Sequence, residues 1–223
     1  MSENKEQTQN ILIVGDSHTN ELMESFKFPR VDYTIIERSK EIRRGFLSHY
    51  RFDKYIVFNE PDRKVGMLKS WGSAWTFDPS AIDNLSIFNN PESHCLFWLG
   101  FNDILDMDKH EDLDGTVHKY LSTIVNTFDK TNIHILYPLA TTHMLKDPNY
   151  ARFCNALDKA CLIFGLDKPK DMSSGKESIL QNPEEYQDAH HLNRNHYASM
   201  FNNMIKLITE GSGGNVNDSP IIT

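Results

Sequence analysis

The chain contains no run of apolar residues approaching the ~20 that a membrane span requires, and it has no basic excess. Its 31 acidic residues outnumber 23 basic ones, for a formal net charge of −8 and a pI of about 5.6. That balance argues against a nucleic-acid-binding surface, which carries clustered Lys and Arg, and for a soluble protein with a small or neutral partner and no membrane association. The amino-terminal stretch MSENKEQTQN has no apolar core of the kind a secretory signal needs. Cysteine is scarce: Cys95, Cys154 and Cys161 make an odd set of three. Two of them are seven apart on one face of an expected helix, and the third begins an expected strand. They read as buried free thiols, and a reducing cytoplasm is the expected compartment. The one local departure from the acidic balance is ERSKEIRRGF, which reads as a solvated helix face. Internal repeats are absent.

What is present is an alternation of apolar runs and helical stripes over 223 residues, enough for one domain. Residues 1–10 are expected to be disordered, 11–210 to form a single α/β domain, and 211–223, with the composition GSGGNVNDSPIIT, to be a flexible tail. Strands are expected at 11–15, 31–37, 54–60, 94–100 and 133–139 from their β-branched, aromatic or continuously apolar composition. A helix is expected from Ser17 to about Phe28, stopped by Pro29, and another after Asp78-Pro79. Leu113, Val117, Tyr120, Leu121, Ile124, Val125 and Phe128 fall on one helical face, as do Tyr150, Phe153, Cys154, Leu157 and Cys161. A last helix spans about Asn195 to Thr209. The pattern predicts a three-layer α/β sandwich, a mostly parallel sheet with helices on both faces. Beyond residue 164 only FGLDKPKDMSS offers a further strand, and a short one.

In open parallel sheets, ligands collect outside the carboxyl ends of the strands. Two expected strands end there in glycine followed by polar side chains: Gly15-Asp16-Ser17-His18 and Gly100-Phe101-Asn102-Asp103. A third polar cluster, YQDAHHLNRNHY, places Asp188 three residues before His191. A carboxylate at that spacing can hold Nδ1–H of the imidazole and leave Nε2 free as a base. Together the clusters meet the needs of acyl transfer. Ser17 needs a base to become a nucleophile, and a tetrahedral oxyanion needs donors such as the Ser17 N–H and the Asn102 amide. No serine sits in a G-x-S-x-G elbow.

GDSH after the first strand, GFND after a later one and DAHH near the carboxyl terminus, in that order, resemble the SGNH/GDSL hydrolases. The resemblance spans about 175 residues, Gly15 to His191. It implies a flavodoxin-like sheet, Ser17 as nucleophile, Asp188 and His191 completing a triad, and Asn102 in the oxyanion hole beside a glycine N–H from the region after the second strand. Gly66, Gly72 and Gly45 compete for that glycine, with Gly66 preferred. The family often has a glycine five residues after its histidine; this chain has His196 there, so packing of the last helix is expected to differ.

Each element also has a plainer reading. Asp16-Ser17 is an ordinary helix cap, Asn102-Asp103 a turn, and His190-His191 surface decoration. Asp16, His18, Trp71 and His190 are the candidates for substrate contact, though Asp16 reads rather as ordering its turn, and His18 as helping to shape the nucleophile turn or as a solvated first-turn residue. Trp71, Trp75 and Phe77 read as an aromatic wall, as core, or as a covering loop. The function expected is an esterase acting on a small-molecule or glycan ester, with no cofactor and no bound metal; an acyltransferase would use the same triad. Two other classes compete. A two-metal phosphoesterase would draw on Asp16, His18, Asp103, His134, His143 and His190, and a non-catalytic binding module would use none of this chemistry.

Overall fold

In the computed structural model, which describes residues 9–27, 32–44, 47–61, 63–70, 77–105, 112–173 and 176–210, a six-stranded mixed sheet organises the chain. In chain order the elements are β1 (Ile11–Gly15), α1 (Ser17–Lys27), β2 (Tyr33–Arg44), β3 (Leu47–Asn59), β4 (Lys64–Ser70), β5 (His94–Trp98), α2 (Phe101–Leu105), α3 (Leu113–Thr127), β6 (Ile133–Ile135), α4 (Thr142–Lys146), α5 (Pro148–Phe164), α6 (Glu177–Leu180) and α7 (Arg194–Glu210). The strand order is β2-β3-β4-β1-β5-β6. The four strands β4, β1, β5 and β6 are mutually parallel, and β2 and β3 add an antiparallel edge.

Strand β1 is apolar at every position because both faces of the sheet are covered. Ile11 and Ile13 enter one core with Leu22, Met23 and Phe26 of α1 and Tyr197, Met200 and Phe201 of α7. Leu12 and Val14 enter the other, with Val117 and Leu121 of α3 and Phe153 and Leu157 of α5. Alternate side chains of one strand thus feed two helical layers, as parallel sheets require. The helical stripes bury as their spacing predicts: Val117, Tyr120, Leu121 and Ile124 in α3, and Phe153, Leu157 and Cys161 in α5. Cys95, Cys154 and Cys161 are free thiols, Cys154 half-buried and the others buried.

Three expectations change. Strand β4 lies between β3 and β1, in a segment whose lysines and glycine masked it. The charge run expected as a helix face is strand instead: Glu37–Arg44 continues β2 and pairs residue by residue with β3. After Asp78-Pro79 there is no α-helix but two short 3-10 turns, Pro79–Ala81 and Leu85–Ile87, interrupted at Asn84, whose φ of 54° is left-handed. Past residue 164 the sheet gains one bridge, Leu136 to Lys170, in the parallel sense. The expected disordered amino terminus (largely) and the tail at 211–223 lie outside the described residues. Among the described residues, no helix is long and apolar enough to cross a membrane.

Candidate active site

The two glycine-ended turns stand side by side because β1 and β5 are neighbours in register, Gly15 opposite Trp98. Both glycines are required where they sit. A Cβ on Gly15 would stand 1.9 Å from Thr19 Oγ1 and 2.8 Å from the Trp98 carbonyl oxygen. Gly100 has φ +127°, and a Cβ there would meet the Phe153 ring at 2.3 Å, so any side chain is excluded by conformation and by space.

Asp16 ties the turns together. Its Oδ1 accepts the His18 N–H at 3.2 Å and its Oδ2 accepts the Phe101 N–H at 3.1 Å, across 85 residues of sequence. Burial raises the carboxyl to about 6 against the pull of these two N–H groups and the His191 ring. The side chain is 2% exposed, which fits ordering of the turn and leaves little surface for substrate. Ser17 is thereby the first residue of α1 and Asn102 the second of α2, both half-buried.

The third cluster approaches this pair of turns from the loop preceding α7. A bridge between Tyr186 and Leu192 closes the loop, and Asp188 organises it. Its Oδ1 accepts the backbone N–H of His190 and of His191, each at 2.8 Å. The same carboxylate lies 2.8 Å (Oδ2) and 3.0 Å (Oδ1) from His191 Nδ1. Desolvation pushes the Asp188 carboxyl up, but the His190 N–H, the His191 ring and the His191 N–H outweigh it and hold it at about 2. A carboxylate at Nδ1 assigns the proton to that nitrogen. His191 Nε2 is buried and has no hydrogen-bond partner among the described residues. Ser17 Oγ therefore does not donate to it in this structure; catalytic hydrogen bonds of this kind are commonly long before substrate binds.

His18 departs from two of its readings, substrate contact and a solvated residue, and fits the third, a residue that shapes the turn. Its ring is 1% exposed, not solvated, and packs 4.7 Å from Phe101, 5.7 Å from Trp98 and 5.2 Å from His191 between centroids. Nδ1 lies 2.8 Å from the Tyr197 hydroxyl, and burial lowers the imidazole to about 3, keeping it neutral. So His18 forms a wall behind His191 rather than a surface for substrate. Its partner Tyr197 went unnoticed in sequence, though it stands in the apolar stripe Tyr197, Met200, Phe201, Met204. His190 is half-buried, edge-on to His143 at 4.6 Å and to Phe101 at 5.6 Å. Burial first, then His143, lowers its imidazole pKa.

Other assignments are corrected or fall elsewhere. Gly66 is not an oxyanion donor: it lies inside β4, opposite Leu12 and Val57, three residues short of Lys69 at the level of Gly15. Its lack of a side chain serves packing, since a Cβ would stand 2.7 Å from Phe88 Cζ. Gly45, Gly72, Trp71 and Trp75 lie outside the described residues. Phe77 is core, edge-on to Phe97 and Tyr120. His196, where the resembled family has glycine, pairs with Glu185 at 2.7 Å.

The comparisons are brief. No family model and no curated protein sequence matches this chain. The metal constellation is not assembled: His134 lies on β6, bonded to His94 of β5 at 3.0 Å. Among the described residues no group of three or more His, Cys, Asp or Glu could hold a metal ion. What the site does assemble is a carboxylate-backed imidazole with a bare Nε2, set against a helix start that carries a serine.

Proposed function

We propose that the chain is a serine ester hydrolase of the SGNH/GDSL type, removing an acyl group, acetyl being the simplest, from a carbohydrate or other small alcohol. The observation that carries this reading is the Asp188–His191 pair, with Nδ1 held by the carboxylate and Nε2 unpartnered, its ring 5.2 Å from that of His18, the residue after Ser17.

In this mechanism His191 Nε2 takes the Ser17 hydroxyl proton as Oγ attacks the acyl carbon. Asp188 stabilises the imidazolium that forms. The oxyanion is met by the Ser17 N–H at the start of α1 and by the Asn102 side-chain amide; such donors are each worth roughly 100- to 1,000-fold in rate. Collapse of the intermediate breaks the ester C–O bond, and the imidazolium returns its proton to the leaving alkoxide. Water, activated by the same nitrogen, then releases the acid and restores Ser17. Neutral His18 behind His191 supports the cycle, because a second positive charge there would oppose the imidazolium.

Hydrolysis of short-chain aryl esters by the wild type and by Ser17→Ala tests the reading. The wild type is expected to turn over and to be labelled at Ser17 by a fluorophosphonate, with kcat falling roughly 10,000-fold or more in the variant. Equal rates for the two proteins would refute it.

A further inference from the structure

The serine and the base of the candidate site come from opposite ends of the chain, and one hydroxyl stands between their sequence neighbours. Tyr197 of α7 is fully buried. Its hydroxyl lies 2.8 Å from Nδ1 of His18, the residue after Ser17, across 179 residues of sequence. The backbone N–H of Leu192, the residue after His191, acts on the same oxygen. Burial, with Glu21 adding to it, raises the phenol's pKa, and the Leu192 N–H works against that rise.

The direction of the bond to His18 follows from what the hydroxyl can reach. Among the described residues it has no acceptor other than His18 Nδ1, and a buried O–H without an acceptor bears the full cost of its lost hydration. The Tyr197 hydroxyl therefore donates to Nδ1, and the neutral ring of His18 carries its proton on Nε2.

A second contact joins the same two helices. Glu21, three residues after His18, accepts from Nε of Arg194, three residues before Tyr197, at 3.1 Å. The Arg194 side chain is 60% exposed, and a pair so open to water contributes little by itself. The rest of the contact is apolar: Leu22, Met23 and Phe26 of α1 share a core with Met200 and Phe201 of α7, the rings of Phe26 and Phe201 standing 4.4 Å apart. Apolar burial draws helices together without direction. A hydrogen bond is bound by distance and angle, so the buried one is what can fix their register.

We propose that Tyr197 is a positioning residue: its hydroxyl, donating to His18 Nδ1, fixes the His191 loop against the start of α1 and so sets how His191 approaches Ser17. The part it plays in turnover rests on the ester-hydrolase reading; the clasp itself does not. Tyr197 binds no part of the ester in this scheme, so its effect falls on the alignment of the reacting groups.

The test is Tyr197→Phe, which removes one oxygen atom and keeps the ring. On aryl acetates kcat should fall roughly 10- to 100-fold with KM unchanged, as a small misplacement of reacting groups predicts, and fluorophosphonate labelling of Ser17 should slow in parallel. An unchanged kcat, or a rise in KM with kcat unaltered, would overturn the proposal. Nitrogen NMR of the imidazoles reads the clasp without turnover, and its first reading needs no variant to fold. At neutral pH wild-type His18 should be the Nε2–H tautomer; an Nδ1–H tautomer would overturn the proposal. In Tyr197→Phe the His18 signals should become those of mixed tautomers and the His191 signals should shift. His191 signals left in place by the substitution would overturn it too. Equal turnover by the wild type and Ser17→Ala would sink the hydrolase reading alone, and the spectra would still decide the clasp.

Discussion

Both ends of the parallel strands carry a histidine ring held at one nitrogen, by another imidazole at the amino end and by a carboxylate at the carboxyl end. At the amino end, His94 at the start of β5 and His134 in β6 bond to each other, Nδ1 to Nε2 at 3.0 Å, and His94 Nε2 reaches Gln9 at 2.8 Å. At the carboxyl end, His191 holds a carboxylate at Nδ1. Among the described residues, His134 Nδ1 in the first arrangement and His191 Nε2 in the second are buried without a hydrogen-bond partner, and so are His18 Nε2 and His190 Nδ1 beside the second. The first pair resists charge: burial, with Lys170 and His94 adding to it, lowers His134 to about 3. In the second, the partner is a carboxylate that stays ionised down to about pH 2.

The largest expected effect breaks this comparison at its centre. His191→Ala should lower kcat on aryl esters by roughly 10,000-fold or more, whereas His134→Ala should leave kcat unchanged. The latter instead strands His94 Nδ1, which should lower stability by about 1–3 kcal/mol in urea unfolding. Similar losses of activity from the two substitutions would erase the distinction between the ends.

Asp188→Asn keeps the shape of the loop and removes the charge. The amide no longer selects the Nδ1–H tautomer, and kcat should fall by roughly 100- to 10,000-fold. Under the proposed mechanism the imidazolium formed during turnover then lacks its counter-charge. A variant with wild-type kcat would mean that the carboxylate only shapes the loop.

The smallest effect concerns the turn itself, where Asp16 and His18 pull in opposite directions. His18 and His134, each held at about 3 instead of 6.5, refuse a proton that the unfolded chain accepts. Stability from these groups is present above pH 6.5 and lost as pH falls toward 3. Asp16, raised from 3.8 to about 6, keeps a proton that the unfolded chain releases, so its contribution is lost as pH rises from 3.8 to 6. Asp16→Asn removes that opposing term. Between pH 4 and 6 the variant's unfolding free energy should rise with pH more steeply than the wild type's, by up to about 1.4 kcal/mol per pH unit. Parallel curves from urea unfolding would show that Asp16 titrates as an exposed carboxyl does.

Much of the fold was legible because its signals are local. The continuous run of β1 and the stripes of α3, α5 and α7 state their own burial, and each element forms where its pattern lies. Strand β4 was not legible: Lys64, Gly66 and Lys69 interrupt its pattern, and Gly66 is explained only by Phe88 packing against it. The charged end of β2 was misread for a related reason. The run Glu37–Arg44 holds one apolar residue, Ile42, and so lacks the apolar alternation by which strands are recognised.

The candidate site divides along the same line. By itself the sequence determined the pairing of Asp188 with His191, since three residues of spacing suffice to close it, and the placing of Ser17 and Asn102 just after glycine-ended strands. Only the tertiary structure decided that those two turns are neighbours and that Asp16 joins them. It also turned His18 inward onto Tyr197. Hydrogen bonds within one turn of chain depend on spacing alone. Burial, strand order and what stands across a crevice depend on which distant segments pack together, and no window of sequence contains both partners.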